Sequence, residues 1–117
     1  MPFQVYCIDD PAKPGLREKM RATHLQYMIE HRDRILFGGP IRDEADRRSI
    51  GSAFALDYTT REEVDRFLAA EPYCASAVFS SVSVHPMRVM VPECRPGFLE
   101  EELRRERSAP EHPTLVP

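Results

Sequence analysis

His24 is the side chain best suited to move a proton near neutral pH, and it stands on one stripe of an amphipathic stretch, PGLREKMRATHLQYMIEH, from Pro14 to His31. Leu16, Met20, Thr23, His24, Tyr27 and His31 recur at the three- and four-residue steps that gather side chains onto one helix face. An imidazole on that face must find partners for its ring nitrogens or lose stability, so a purely structural helix would more often carry Leu or Ala there. A neutral imidazole oriented by a carboxylate on its other nitrogen is a competent general base. Asp9 and Glu71 are the candidate carboxylates. Arg21, one turn before His24, is placed to bind an anionic substrate group, Ser52 and Tyr73 offer hydroxyls, and Gly39 offers an exposed backbone amide. Each residue also has a structural reading: a satisfied core histidine, a solvated arginine, a turn hydroxyl, a tyrosine packed on Pro72.

Other chemistries find less support. Cys74 has no evident activating partner, and His31 and His85 are explained by a helix end and a strand beside Pro86. His24, His31, Asp9 and Glu71 lack metal-ligand spacing, and Gly38-Gly39-Pro40 precedes a hairpin instead of a phosphate-binding helix, so no metal and no cofactor is expected.

The elements that must position these residues follow from periodicity and punctuation. Phe3 to Ile8 is apolar in both phases and reads as a strand, and the Asp9–Gly15 segment reads as a loop leading into the His24 helix. Arg34 to Phe37 reads as a short strand ending at a Gly38-Gly39-Pro40 turn, and Ile50 to Tyr58 as its hairpin partner. Thr60-x-x-Glu63 is a capping box opening a second helix that ends near Ala70 at Pro72. A last strand runs from Phe79 to Val91 with a bend at Pro86. The composition changes after Pro92, so residues 1–92 form one domain, and 93–117 form an extension with a short charged helix and a proline-rich tail.

At 117 residues and a formal net charge of −3, the chain has no basic field for nucleic acid or an anionic membrane, and no run of membrane-spanning length. Three cysteines without C-x-x-C spacing argue against a disulfide framework, and the N-terminus does not read as a signal peptide; the expected location is the cytoplasm.

The order strand, helix, strand, strand, helix, strand predicts an α+β, ferredoxin-like split βαβ (βαββαβ) with a four-stranded antiparallel sheet and both helices on one face. Apolar residues in both strand phases, including Tyr6, Ile8, Phe54 and Leu56, predict a homodimer that covers the other face. This topology gathers Asp9, Gly38–Pro40, Gly51-Ser52 and Glu71–Tyr73 at one end of the sheet, where a small-molecule pocket is expected. His24, about 15 Å along its helix from Pro14, reaches that end only if the loop is long, the helix begins late, or the cavity extends down between helix and sheet.

Asp9, Arg21-x-x-His24-Leu25, Gly39-Pro40, Gly51-Ser52, Pro72-Tyr73 and Val82-x-Val84-x-Pro86, in this order and spacing, resemble the YciI-like family over residues 3–91. The resemblance implies a dimeric α/β barrel and a histidine–aspartate pair, which fall here on His24 and Asp9. It also brings a dehydrochlorinase relative that acts on a chlorinated hydroxyquinol, and a histidine base of this kind suits elimination, isomerisation or hydration of a small cyclic or unsaturated organic acid. The acidic residue before Pro-Tyr is usually aspartate in the family and is Glu71 here, so either carboxylate remains a candidate partner for His24. The alternative function is a non-catalytic metabolite-binding or assembly module.

Overall fold

The computed structural model describes residues 1–109. Four strands, β1 (Phe3–Asp9), β2 (Ile35–Arg42), β3 (Ser49–Leu56) and β4 (Phe79–Pro86), form one antiparallel sheet in the order β2-β3-β1-β4. Helices α1 (Leu16–His31) and α2 (Arg61–Ala70) are the crossovers, and a short α3 (Pro72–Ala75) follows α2 directly. This is the ferredoxin-like α+β arrangement expected from the order of elements.

Alternation along β1 decides which face is buried. Phe3, Val5 and Cys7 point to one side, where they meet Phe54 and Leu56 of β3 and Val64 and Phe67 of α2 in a single apolar cluster. Each such side chain contributes about 1.5–3 kcal/mol when fully buried. The opposite face keeps Tyr6 (45 % exposed) and Phe37 (54 % exposed) uncovered. Phe54 and Leu56 therefore belong to the helix-covered side and not to the open face.

Three boundaries differ from the sequence expectation, each for an identifiable reason. β2 continues through Gly38-Gly39-Pro40 to Arg42, because it is an edge strand and the missing amide of Pro40 leaves no ladder bond unmade. The hairpin turns later, where the Asp43 amide donates to the Arg48 carbonyl at 3.0 Å. β4 stops at Pro86 instead of continuing to Val91. Pro72 does end α2, but it also occupies the first turn of α3, where proline is well tolerated.

α2 opens with the expected capping box: the Glu63 amide donates to Thr60 Oγ1 at 3.3 Å, and the Thr60 amide to Glu63 Oε1 at 3.2 Å. Gly51, paired with Ile8 on β1, allows the close approach of the two central strands, since a Cβ there would collide with the Cys7 carbonyl oxygen. Gly51→Ala is expected to destabilise the protein by about 1–3 kcal/mol through overpacking. A urea titration checks this, and an unchanged midpoint would show that the central strands have slack.

The described residues divide into two compact units, Met1–Met87 and a second that begins at Arg88. In the second, α4 (Phe98–Ser108) forms the expected charged helix, with Glu101 accepting from Arg95 at 2.7 Å and from Arg105 at 3.1 Å. Most of the proline-rich tail, residues 110–117, lies outside the described residues.

Candidate functional site

Glu71 sits at the joint between α2 and α3 and serves both. Its amide closes α2 on the carbonyls of Phe67 and Leu68, while its Oε2 caps α3 by accepting from the Cys74 amide at 3.0 Å. The other oxygen, Oε1, accepts from His24 Nδ1 at 2.5 Å. Glu71 is only 1 % exposed. Burial pushes its carboxyl up, but the His24 hydrogen bond, the Cys74 and Tyr73 amides and the His24 charge outweigh that and hold it below its usual value. The group is therefore a carboxylate at neutral pH, an acceptor only, so Nδ1 of His24 carries the proton.

Tyr73 fixes the imidazole plane. The two rings stack with centroids 3.9 Å apart and planes within 6°. Among the described residues, Nε2 of His24 has no hydrogen-bond partner, and the side chain is 19 % exposed. Burial raises the Tyr73 hydroxyl above its usual value against the opposing pull of Arg17, so it stays protonated at neutral pH.

The other candidate carboxylate goes elsewhere. Asp9 is held by a two-pronged bond from Arg17, Nε to Oδ2 at 2.9 Å and Nη2 to Oδ1 at 2.8 Å. The same Nη2 reaches Ser52 Oγ at 3.0 Å, and the guanidinium lies 4.8 Å from the centre of the Tyr73 ring. A fork-shaped cation at the end of β1 competes for Asp9 with the geometry a carboxylate matches best. Burial would lower the Arg17 pKa, but Asp9 raises it, and the guanidinium remains charged. The pairing of His24 with Asp9 implied by the family resemblance is thus replaced in the structure by Glu71 with His24 and Asp9 with Arg17.

His24, Glu71, Tyr73, Ser52, Arg21 and Gly39 line one cleft of about 630 Å³ that runs between α1 and the sheet. Asp9 lines a neighbouring hollow instead. Sequence reasoning missed Arg17, Phe79, Arg47 and Arg48 on the walls of the cleft. Arg17 had a usable signal, since it lies seven residues before His24 and so on the same helix face. Cys74 is unsuited to nucleophilic work: a hydrogen bond with Cys7, burial and the Glu71 charge all push its thiol up. Among the described residues, no three His, Cys, Asp or Glu side chains are grouped to hold a metal ion.

The YCII-related domain family matches residues 1–88. The chain belongs to this family. No curated protein matches the sequence. Among solved structures, the YCII-related chain is similar to 5-chloro-2-hydroxyhydroquinone dehydrochlorinase (TftG) from Burkholderia phenoliruptrix AC1100, solved in complex with 2,5-dihydroxybenzoquinone. The TM-score is 0.73 at 24 % identity, over 80 % of this chain and 99 % of that one. At that identity the likeness carries the fold of the YCII-related domain alone.

Proposed function

We propose that this protein is a small lyase- or isomerase-type enzyme in which His24, oriented by Glu71, acts as general acid and base on a small cyclic or unsaturated organic acid. The observation that carries this reading is the 2.5 Å bond from His24 Nδ1 to a buried carboxylate on the wall of a cleft. With Nδ1 engaged, Nε2 takes a proton from an activated carbon or hydroxyl of the substrate. The released electron pair forms a new double bond and either expels a leaving group, the proton staying on Nε2, or displaces an existing double bond whose far atom takes the proton back from Nε2 in isomerisation. Arg21 neutralises the substrate anion, and Tyr73, Ser52 and Gly39 shape and polarise its seat.

The dehydrochlorinase activity of the structural neighbour supplies the first substrates to try. Chlorinated hydroxyhydroquinones and unsaturated cyclic acids are screened for chloride release or ultraviolet change, with the expected result a steady turnover of at least one compound. A folded protein inert towards the whole panel, with no binding to any member, would speak against the enzyme.

We further propose that the working form is a homodimer across the open sheet face, as in a dimeric α/β barrel. Tyr6 and Phe37 are large, exposed and on that face, where a second copy buries them. Sedimentation is expected to show a dimer at micromolar concentration for wild type and a monomer for the Tyr6→Glu/Phe37→Glu variant; a monomeric wild type removes this assembly. No helix among the described residues is long and apolar enough to cross a membrane, and Cys7, Cys74 and Cys94 are free thiols, which supports work in the cytoplasm.

A further inference from the structure

Arginines crowd the walls of the His24 cleft although the chain as a whole carries a formal net charge of −3. Arg17, Arg21, Arg32, Arg42, Arg47 and Arg48 line it, against the carboxylates of Glu18 and Glu71. Concentrating one sign of charge in a concavity of an acidic protein raises the local concentration of anions and costs self-repulsion that a bound anion relieves.

Five of these six fall into two sets on different elements, and Arg32 follows the end of α1. Arg17 and Arg21 stand on α1, seven and three residues before His24. Arg42, Arg47 and Arg48 belong to the β2–β3 hairpin. Arg42 is anchored to Ser49 Oγ at 3.0 Å, and Arg17 to Ser52 Oγ at 3.0 Å. Ser49 and Ser52 are three residues apart on β3, across the register shift beside Arg42, so at the rise of an extended strand the two anchors are at most about 10 Å apart. Within each set one arginine is already satisfied: Arg17 by Asp9, and Arg42 by Asp46 at 2.8 Å. Arg48 approaches Asp43 only at 3.7 Å with 78 % of its side chain in solvent, and among the described residues Arg21 and Arg47 form no ion pair. Each set thus keeps guanidinium capacity that the protein's own carboxylates do not take up.

We infer that the cleft takes a small dicarboxylate, with one carboxylate at Arg21 beside His24 and the second at Arg47 and Arg48 on the β2–β3 hairpin. This rests on the reading of the His24 cleft as the reacting site, and it adds a specificity element outside the dyad. Guanidinium forks match carboxylates in a bidentate manner, and two separated sets select for two separated charges. A compact dianion such as inorganic phosphate engages one set only.

Calorimetric titration of the full chain at low salt tests the inference with three diacids, maleate, phthalate and (E,E)-hexa-2,4-dienedioate. Each is set beside its own monomethyl ester, with inorganic phosphate as the compact anion. At least one diacid is expected to bind about tenfold more tightly than its ester, and Arg47→Gln/Arg48→Gln to bring it down to the level of the ester. The ester itself is expected to bind wild type and the double variant about equally, because its one carboxylate rests at Arg21. The inference is overturned if no diacid exceeds its ester, if phosphate matches the best diacid, or if the double variant keeps the preference. His24→Ala separates the two readings, since diacid binding persists in it whether or not His24 is the base. Failure of the dyad appears as undiminished turnover in that variant, and failure of the dicarboxylate appears in the titrations.

Discussion

His24→Ala is expected to lower turnover by about 10²–10⁴-fold, the usual contribution of a positioned acid–base group. The loss falls on kcat more than on KM, because anion binding by Arg21 and the hairpin arginines does not require the imidazole. The variant also loses the ring stacked 3.9 Å from Tyr73 and leaves Glu71 Oε1 without its donor, so stability falls by about 1–3 kcal/mol. His24→Gln is the useful companion: an amide can still donate to Glu71 and hold the fold, yet it cannot cycle a proton. Circular dichroism on both variants separates loss of chemistry from loss of structure. A folded His24→Gln protein with wild-type kcat would remove the imidazole from the reaction.

Glu71→Gln is expected to reduce kcat by about 10²-fold, because a neutral amide no longer demands a proton on Nδ1 and no longer stabilises the imidazolium that forms during proton transfer. Its effect on stability is pH-dependent, with a definite sign. The carboxyl of Glu71 titrates lower in the folded protein than its ordinary value of 4.5. Its stabilisation is therefore fully present above about pH 4.5 and is lost as pH falls through the lower folded value. At neutral pH the substitution exchanges a charge-assisted bond for a neutral one, at a cost of about 1.5–3 kcal/mol. In acid the two proteins converge, so the gap between their urea midpoints narrows as pH drops below 4.5. A gap that stays constant from pH 7 to pH 3 would mean that Glu71 is not ionised in the folded state.

Much of the fold is legible because it depends on local periodicity. Phe3, Val5 and Cys7 alternate, Thr60 and Glu63 form their capping box, and the order of elements leaves few topologies. The ends of β2 and β4 are less legible, because whether a proline is tolerated depends on being at an edge, and edge position is a property of the assembled sheet. The cleft was partly legible too: six of the seven residues singled out line it. The pairing of charges was not. Asp9 and Glu71 are equivalent as carboxylates in sequence, and only the reach of Arg17 from two turns before His24 decides that Asp9 is occupied. Likewise, α3 was hidden because Pro72 reads as a terminator, while in the structure it starts a new turn whose cap is the Glu71 side chain. That cap brings the carboxylate to the middle of α1, and so resolves how a histidine so far along its helix can face a pocket.

Chemical rescue tests the role of the dyad most directly. Removing the imidazole opens a ring-sized space beside Tyr73 and Glu71, into which free imidazole fits. With a substrate found in the screen, His24→Ala is expected to lose turnover and to regain part of it as imidazole is added, saturating with concentration and following the neutral form of the added base. Wild-type turnover in His24→Ala without imidazole, or a loss that no concentration of imidazole lessens, would contradict general acid–base catalysis by His24.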